Sequence, residues 1–132
     1  MNVKSLYGAG LLALVLGLTA CERQVSFADD VQPILNHDCV ECHDGTGEGT
    51  AASEFRVTDY GSVMAGTSFG PVVVPGSRMS SALYLVIAGK TAPEIRMPPH
   101  HKESLASGRG SPLPDDQVEV IGRWIDQGAR DN

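Results

Sequence analysis

The segment Cys39-Val40-Glu41-Cys42-His43 has the pattern that attaches c-type haem, two cysteines three positions apart followed directly by a histidine. In a helical turn, this spacing places the two sulfurs so that each can form a thioether with one vinyl group of the porphyrin. The histidine then lies beneath the iron. We therefore predict one covalently attached haem c, with Cys39 and Cys42 as the thioether residues and His43 as the proximal iron ligand.

Three other uses of this segment remain open. A redox-active disulfide of the thioredoxin type would need alternating strands and helices, and the sequence shows no strand pattern. A zinc site could combine the segment with His37, His100 or His101, although the usual second pair of ligands is missing. A structural disulfide between the two cysteines would leave the adjacent histidine without a role.

A methionine far along the chain offers the second axial ligand that a simple electron carrier needs. Met97 lies within Arg96-Met97-Pro98-Pro99, where the prolines favour an extended backbone that can present the thioether. Met79 lies near a predicted helix start and is expected to fill a gap in the core. We predict Met97 as the distal iron ligand, with His100 or His101 as the alternative.

Helical periodicity and capping residues predict an all-α fold with four helices. The predicted spans are 30–37, 59–65, 80–88 and 116–127. Asp30 is the predicted cap of the first helix, because Pro33 suits a first helical turn. Thr58 and Asp115 are the predicted caps of the second and fourth helices. Residues 68–76 are expected to form a loop.

Gly122 lies on the apolar face of the last predicted helix, although glycine inside a helix costs about 1 kcal/mol relative to alanine. Either the glycine is merely tolerated, or it allows another helix to approach closely. For the second case, we expect the helix over 30–37 to be the partner.

Residues 1–20 have the pattern of a secretory signal peptide, with Lys4 followed by an uncharged run up to Ala20. The run is too short for a transmembrane helix, which needs about 20 apolar residues. It ends in Leu18-Thr19-Ala20-Cys21, which resembles the lipobox of bacterial lipoproteins. We expect Cys21 to carry the lipid anchor, the alternative being an ordinary signal peptide cut at another small residue.

This interpretation divides the chain into a signal peptide over 1–20, a short linker from the lipid anchor over 21–26 and a folded domain over 27–132. The domain would then lie outside the cytoplasm, on the periplasmic side, attached to a membrane through its N-terminal lipid.

The chain is acidic, with 10 basic and 16 acidic side chains in 132 residues and a formal net charge of −6. Cleavage before Cys21 would remove Lys4 and no acidic residue, leaving 9 basic and 16 acidic side chains and a net charge of −7. An acidic domain lacks the basic surface that nucleic acids require, so we expect no nucleic-acid partner. It favours a redox partner protein with a basic docking patch.

Several motifs, in order along the chain, resemble those of class I monohaem cytochromes c. They are the haem-attachment segment over 39–43, Met97-Pro98-Pro99 and the closing Arg123-Trp124-Ile125-Asp126-Gln127-Gly128-Ala129. More narrowly, residues 31–35, 70–76 and 81–84 are similar to segments of planctomycete-type cytochrome c domains, and the similarity covers about residues 27–130.

This resemblance implies a small all-α fold around one covalent haem, with Cys39, Cys42, His43 and Met97 in the roles given above. It also implies that a backbone carbonyl near Gly70-Pro71 orients the proximal imidazole through its second nitrogen.

The sequence thus predicts electron transfer by a lipid-anchored protein in which both axial positions of the iron are filled. Such a protein has no catalytic residues and no substrate site of its own. The alternatives are a haem-based gas or redox sensor or an enzyme subunit in which Met97 is displaced, and a zinc-binding structural lipoprotein.

Overall fold

The computed structural model describes residues 22–99 and 111–132. Over these ranges the chain forms α-helices and no strand, which confirms the predicted all-α class. The helices are α1 (Gln32–Asp38), α2 (Val40–His43), α3 (Glu48–Ser53), α4 (Tyr60–Ala65), α5 (Ala82–Ile87) and α6 (Asp115–Asp126). A π-helical turn over Phe27–Val31 leads directly into α1, and 3-10 turns cover Arg78–Ser80 and Pro93–Ile95.

The first helical segment begins earlier than predicted. Ser26 is its N-cap, because the Ser26 hydroxyl accepts a hydrogen bond from the Asp29 N–H at 3.1 Å. The Asp30 carboxylate accepts in return from the Ser26 N–H at 2.8 Å, so Asp30 lies in the first turn and the prediction that it is the N-cap was wrong. Pro33 is accommodated because it falls in the first turn of α1, where no N–H is needed.

The later helices agree more closely with the predicted spans. Helix α6 begins and ends one residue before its predicted bounds. The cap of α4 is Asp59, whose carboxylate accepts from the Ser62 N–H at 2.8 Å, and not Thr58 as predicted. Helix α3 was not predicted, because none of its six residues is buried and it therefore has no apolar periodicity.

Trp124, on α6, is buried at the centre of the core, where α6 packs against the π-helical turn and α5. The Phe27 and Tyr60 rings lie with their centroids 5.3 and 6.4 Å from the Trp124 ring. Its indole N–H donates to the Arg130 carbonyl at 2.9 Å, and the Tyr60 hydroxyl donates to the Ala129 carbonyl at 2.9 Å. These contacts join α4, α6 and the two ends of the described chain around one aromatic group.

The space beside Gly122 on α6 is filled by the side chains of Arg78 and Tyr84, and not by the helix over 30–37. A Cβ added at this position would lie 2.7 Å from the Arg78 guanidinium and 2.9 Å from the Tyr84 ring. The glycine therefore leaves room for two side chains, one of which, Tyr84, lies on helix α5, and the prediction that the helix over 30–37 is its partner was wrong.

Among the described residues, no helix has the length and apolar character needed to cross a membrane. The predicted signal peptide and the predicted lipidation site at Cys21 lie outside these residues.

Candidate haem site

The haem-attachment segment forms one helical turn. Cys39 ends α1, with its N–H bonded to the Leu35 carbonyl at 3.0 Å, and its own carbonyl accepts from the N–H groups of Cys42 and His43 at 3.2 and 3.0 Å. The two cysteines are not joined by a disulfide. The structure thus brings Cys39, Cys42 and His43 together in one helical turn.

Cys39 packs against the hydrophobic core. Burial raises the pKa of its thiol to about 12, and the nearby negative charges of Asp38 and Cys42 act in the same direction. The group is therefore a neutral thiol at physiological pH. A redox-active cysteine pair needs an accessible thiolate, so this environment argues against a thioredoxin-like role.

Hydrogen bonds hold His43 through both its imidazole ring and its backbone. Its Nδ1 lies 3.1 Å from the Phe55 carbonyl, and its own carbonyl accepts from the Val57 N–H at 3.0 Å. Because a carbonyl can only accept, Nδ1 carries the proton and Nε2 keeps a lone pair for a metal ion. The Phe55 ring also meets the imidazole edge to face, with the centroids 5.4 Å apart.

The carbonyl that faces the His43 ring is not the one near Gly70-Pro71 that the family resemblance implied. The Gly70 carbonyl closes a local turn by accepting from the N–H and the hydroxyl of Thr67, at 2.9 and 3.2 Å. The carbonyl that faces the His43 ring belongs to Phe55. Nothing in the sequence marked Phe55, because it acts through its backbone and follows the unpredicted helix α3.

Thr50 connects this carbonyl to the loop after the haem segment. The Thr50 hydroxyl donates to the Phe55 carbonyl at 3.2 Å and accepts from the Gly45 N–H at 3.1 Å. Within the loop, the Asp44 carboxylate accepts from the N–H groups of Thr46 and Gly47 at 2.6 and 2.7 Å, and these bonds lower the pKa of Asp44. The loop therefore turns the chain back so that α3 lies beside the histidine.

Gly49, on α3, lies over the face of the His43 ring. A Cβ added there would be 2.5, 2.6 and 2.9 Å from Cε1, Nε2 and Nδ1, three consecutive atoms of the ring. Real Cβ atoms essentially never approach so closely, so only glycine fits without a shift of the imidazole or of α3. Sequence reasoning missed Gly49, since its importance depends on a contact with a residue in another helix.

Met97 follows the last 3-10 turn and is partly buried. Its N–H donates to the Val86 carbonyl at 3.1 Å, and its side chain packs against the same hydrophobic core that Cys39 contacts. Met79, by contrast, is 60% exposed, so the prediction that it fills the core was wrong.

Within residues 22–99 and 111–132, no three His, Cys, Asp or Glu side chains converge to hold a metal ion. His37 points to solvent, with its side chain 83% exposed and 3.0 Å from the Asp38 carboxylate. His100 and His101, the alternative ligands for iron or zinc, lie outside the described residues.

The helical architecture and the haem-attachment turn define a small all-α protein with a cytochrome c-like fold. Residues 39–101 match the family model described as planctomycete cytochrome C, a range that includes both the haem-attachment segment and Met97. The match supports a planctomycete-type cytochrome c domain, as the motifs predicted, and such a domain implies haem c binding and suggests a haem-based redox function. Neither the curated proteins nor the solved structures yield a match.

Proposed function

We propose that this protein is an electron carrier that holds one haem c covalently, outside the cytoplasm and attached to a membrane by a lipid on Cys21. Cys39 and Cys42 supply the thioethers, His43 the proximal iron ligand and Met97 the distal one. The observation that carries the proposal is the bond from His43 Nδ1 to the Phe55 carbonyl, because it fixes the tautomer that ligates iron.

Each residue has a separate task. The two cysteines keep the group attached regardless of its affinity, the Phe55 carbonyl orients His43, and Gly49 leaves room for the ring. When bound, the haem iron supplies a one-electron couple. A methionine opposite a histidine favours a higher reduction potential than two histidines would.

Iron ligation by both His43 and Met97 would support a carrier and not an enzyme. With both residues bound to the iron, no position would be left for a substrate or a gas. The acidic character of the chain, with a net charge of −6, favours a partner protein with a basic docking patch through attraction that salt should weaken.

The test is an absorption spectrum of the protein expressed together with a haem-attachment system. We expect the reduced protein to be six-coordinate and low spin and to show no change on addition of carbon monoxide. Ready formation of a carbon monoxide complex would favour a sensor or an enzyme subunit. A protein that contains stoichiometric zinc and no haem would instead be the structural lipoprotein.

A further inference from the structure

The residues that follow Cys21 contact the folded domain, beginning with Glu22, the first residue that the structure describes. The Glu22 carboxylate lies 3.0 Å from the Arg123 guanidinium, and Arg23 pairs with Asp30 at 3.0 Å. The Arg23 carbonyl accepts from the side chains of Arg123 and Gln127 at 3.2 and 3.3 Å. The side chains of Arg123, on α6, and of Gln127, directly after it, therefore hold the start of the described chain.

The next residues are fixed still more firmly. The Val25 N–H donates to the Gln127 side-chain carbonyl at 2.7 Å, and the Val25 side chain is 4% exposed. Asn132 also binds the segment, because its backbone carbonyl accepts from the Ser26 hydroxyl at 2.6 Å and its side-chain carbonyl accepts from the Phe27 N–H at 3.0 Å. The segment from Glu22 onward is thus part of the domain's surface.

This geometry leaves almost no free chain between the domain and a lipid on Cys21. A fully extended residue spans at most about 3.6 Å, and Glu22, the residue after Cys21, already contacts α6. Resting on the proposed acylation of Cys21, we propose that the domain lies directly against the phospholipid surface with one fixed side facing it. We call this side the anchor face and define it by Glu22, Arg23, Arg123, Gln127 and Asn132.

The charges of the anchor face agree with attachment by acyl chains. Its two arginines are paired with Glu22 and Asp30, so the face has no unpaired basic group to attract anionic headgroups. The face therefore determines orientation, and the lipid on Cys21 supplies the affinity.

A fixed orientation also fixes the distance between the membrane and the haem-attachment turn. The helical segment over 27–38 joins the anchor face to Cys39, and at 1.5 Å per residue it is about 18 Å long. The turn that holds the haem is thus kept within about one helix length of the anchor, which favours electron exchange with partners at a constant height above the bilayer.

The experiment uses the full lipidated, haem-loaded protein in phosphatidylcholine vesicles that contain a phospholipid with a photoreactive headgroup. After illumination, mass spectrometry maps the crosslinked peptides. We expect a several-fold excess of crosslinks in peptides covering 22–30 and 123–132 over peptides covering 44–56. Insertion of about twelve Gly and Ser residues between Cys21 and Glu22, which adds a flexible span of about 20 Å, should abolish this excess.

A double variant tests the contacts that hold the segment. Arg123→Ala with Gln127→Ala should reduce the excess, whereas Arg130→Ala, an exposed arginine nearby in sequence, should retain it. Crosslinks spread evenly over the lipidated wild-type protein would overturn the fixed orientation and leave the anchor intact. An N-terminal peptide without acyl chains, together with no vesicle binding, would overturn the proposed anchoring and the orientation with it.

Discussion

The Phe55 carbonyl oxygen lies 3.1 Å from His43 Nδ1 and 3.2 Å from the Thr50 hydroxyl, so it accepts from two donors at once. One donor, His43, ends the haem-attachment turn, the other, Thr50, lies on α3, and the carbonyl belongs to the segment between α3 and α4. The orientation of the proposed proximal ligand therefore depends on residues that ligate nothing themselves.

Removal of the competing donor should strengthen the remaining bond. In Thr50→Val, His43 alone of these two donors still bonds to the Phe55 carbonyl. The stronger bond makes the imidazole more basic, and a more basic imidazole stabilises oxidised iron. We expect the reduction potential to fall by about 20 mV, the equivalent of about 0.5 kcal/mol in a one-electron couple. Spectroelectrochemical titration measures the shift.

A matched control is Thr91→Val. The Thr91 hydroxyl is buried and has no hydrogen-bond partner in the described part of the chain. Its removal should leave the potential unchanged within the error of the titration. Equal potentials for Thr50→Val and the wild type would contradict a tuning role of the Phe55 carbonyl.

The contact between Gly49 and His43 predicts a large effect of one methyl group. In Gly49→Ala, the added Cβ would lie 2.5 Å from Cε1 of the imidazole, so the ring or α3 must move. We expect a loss of about 1 to 3 kcal/mol in the free energy of unfolding, typical of overpacking, and a lower yield of haem-loaded protein. Denaturant unfolding and the Soret absorbance per chain measure these effects.

Gly61→Ala provides the control on α4. The nearest atom to a Cβ there is the Asp59 carboxylate oxygen at 3.2 Å, which lies on a side chain. This variant should retain wild-type haem content, since it changes helix propensity without touching the histidine. Full haem loading of Gly49→Ala would show that the contact does not constrain the ring.

Arg78 joins the 3-10 turn before α5 to helix α6. Its guanidinium donates to Glu119 at 2.7 Å and to Asp126, and it lies over the Tyr84 ring at 5.4 Å. The bond from Arg78 lowers the pKa of Glu119. The pKa of Asp126 is also lowered, because the bonds from Arg78 outweigh the opposing effect of burial.

Arg78→Met should therefore reduce the free energy of unfolding by about 1 kcal/mol at neutral pH, because both carboxylates are partly exposed and water weakens their attraction to the guanidinium. Because the two carboxyl pKa values are depressed in the folded protein, their contribution is present above the ordinary values of 4.5 and 3.8 and is lost as the pH falls below them. The difference between variant and wild type should shrink toward pH 3. A difference in unfolding free energy that stays constant with pH would assign the effect to packing alone. Arg130→Met serves as the control.

The assignment of the distal ligand is tested by two methionine variants. Met97→Ala should abolish the weak sulfur-to-iron band in the far red and convert the iron to high spin, because no thioether remains to bind it. Met79→Ala should leave the spectrum unchanged, since this side chain is 60% exposed. An unaltered spectrum of Met97→Ala would transfer the distal role to another residue, with His100 and His101 the next to be replaced.

Local patterns predicted the all-α class, the span of α6 and the grouping of Cys39, Cys42 and His43, because each depends on residues close together in the sequence. The contacts of Gly49, Phe55 and Gly122 could not be predicted in this way. Each of these depends on a partner in another element, and two of the three residues have no side chain to give a pattern.

The most direct test of the central claim is mass spectrometry of the peptide that contains Cys39 and Cys42, isolated from the mature protein under denaturing conditions. We predict that this peptide carries the mass of one haem and that neither cysteine reacts with an alkylating reagent. Two alkylatable cysteines on a peptide without haem, from cells with a working haem-attachment system, would contradict the account.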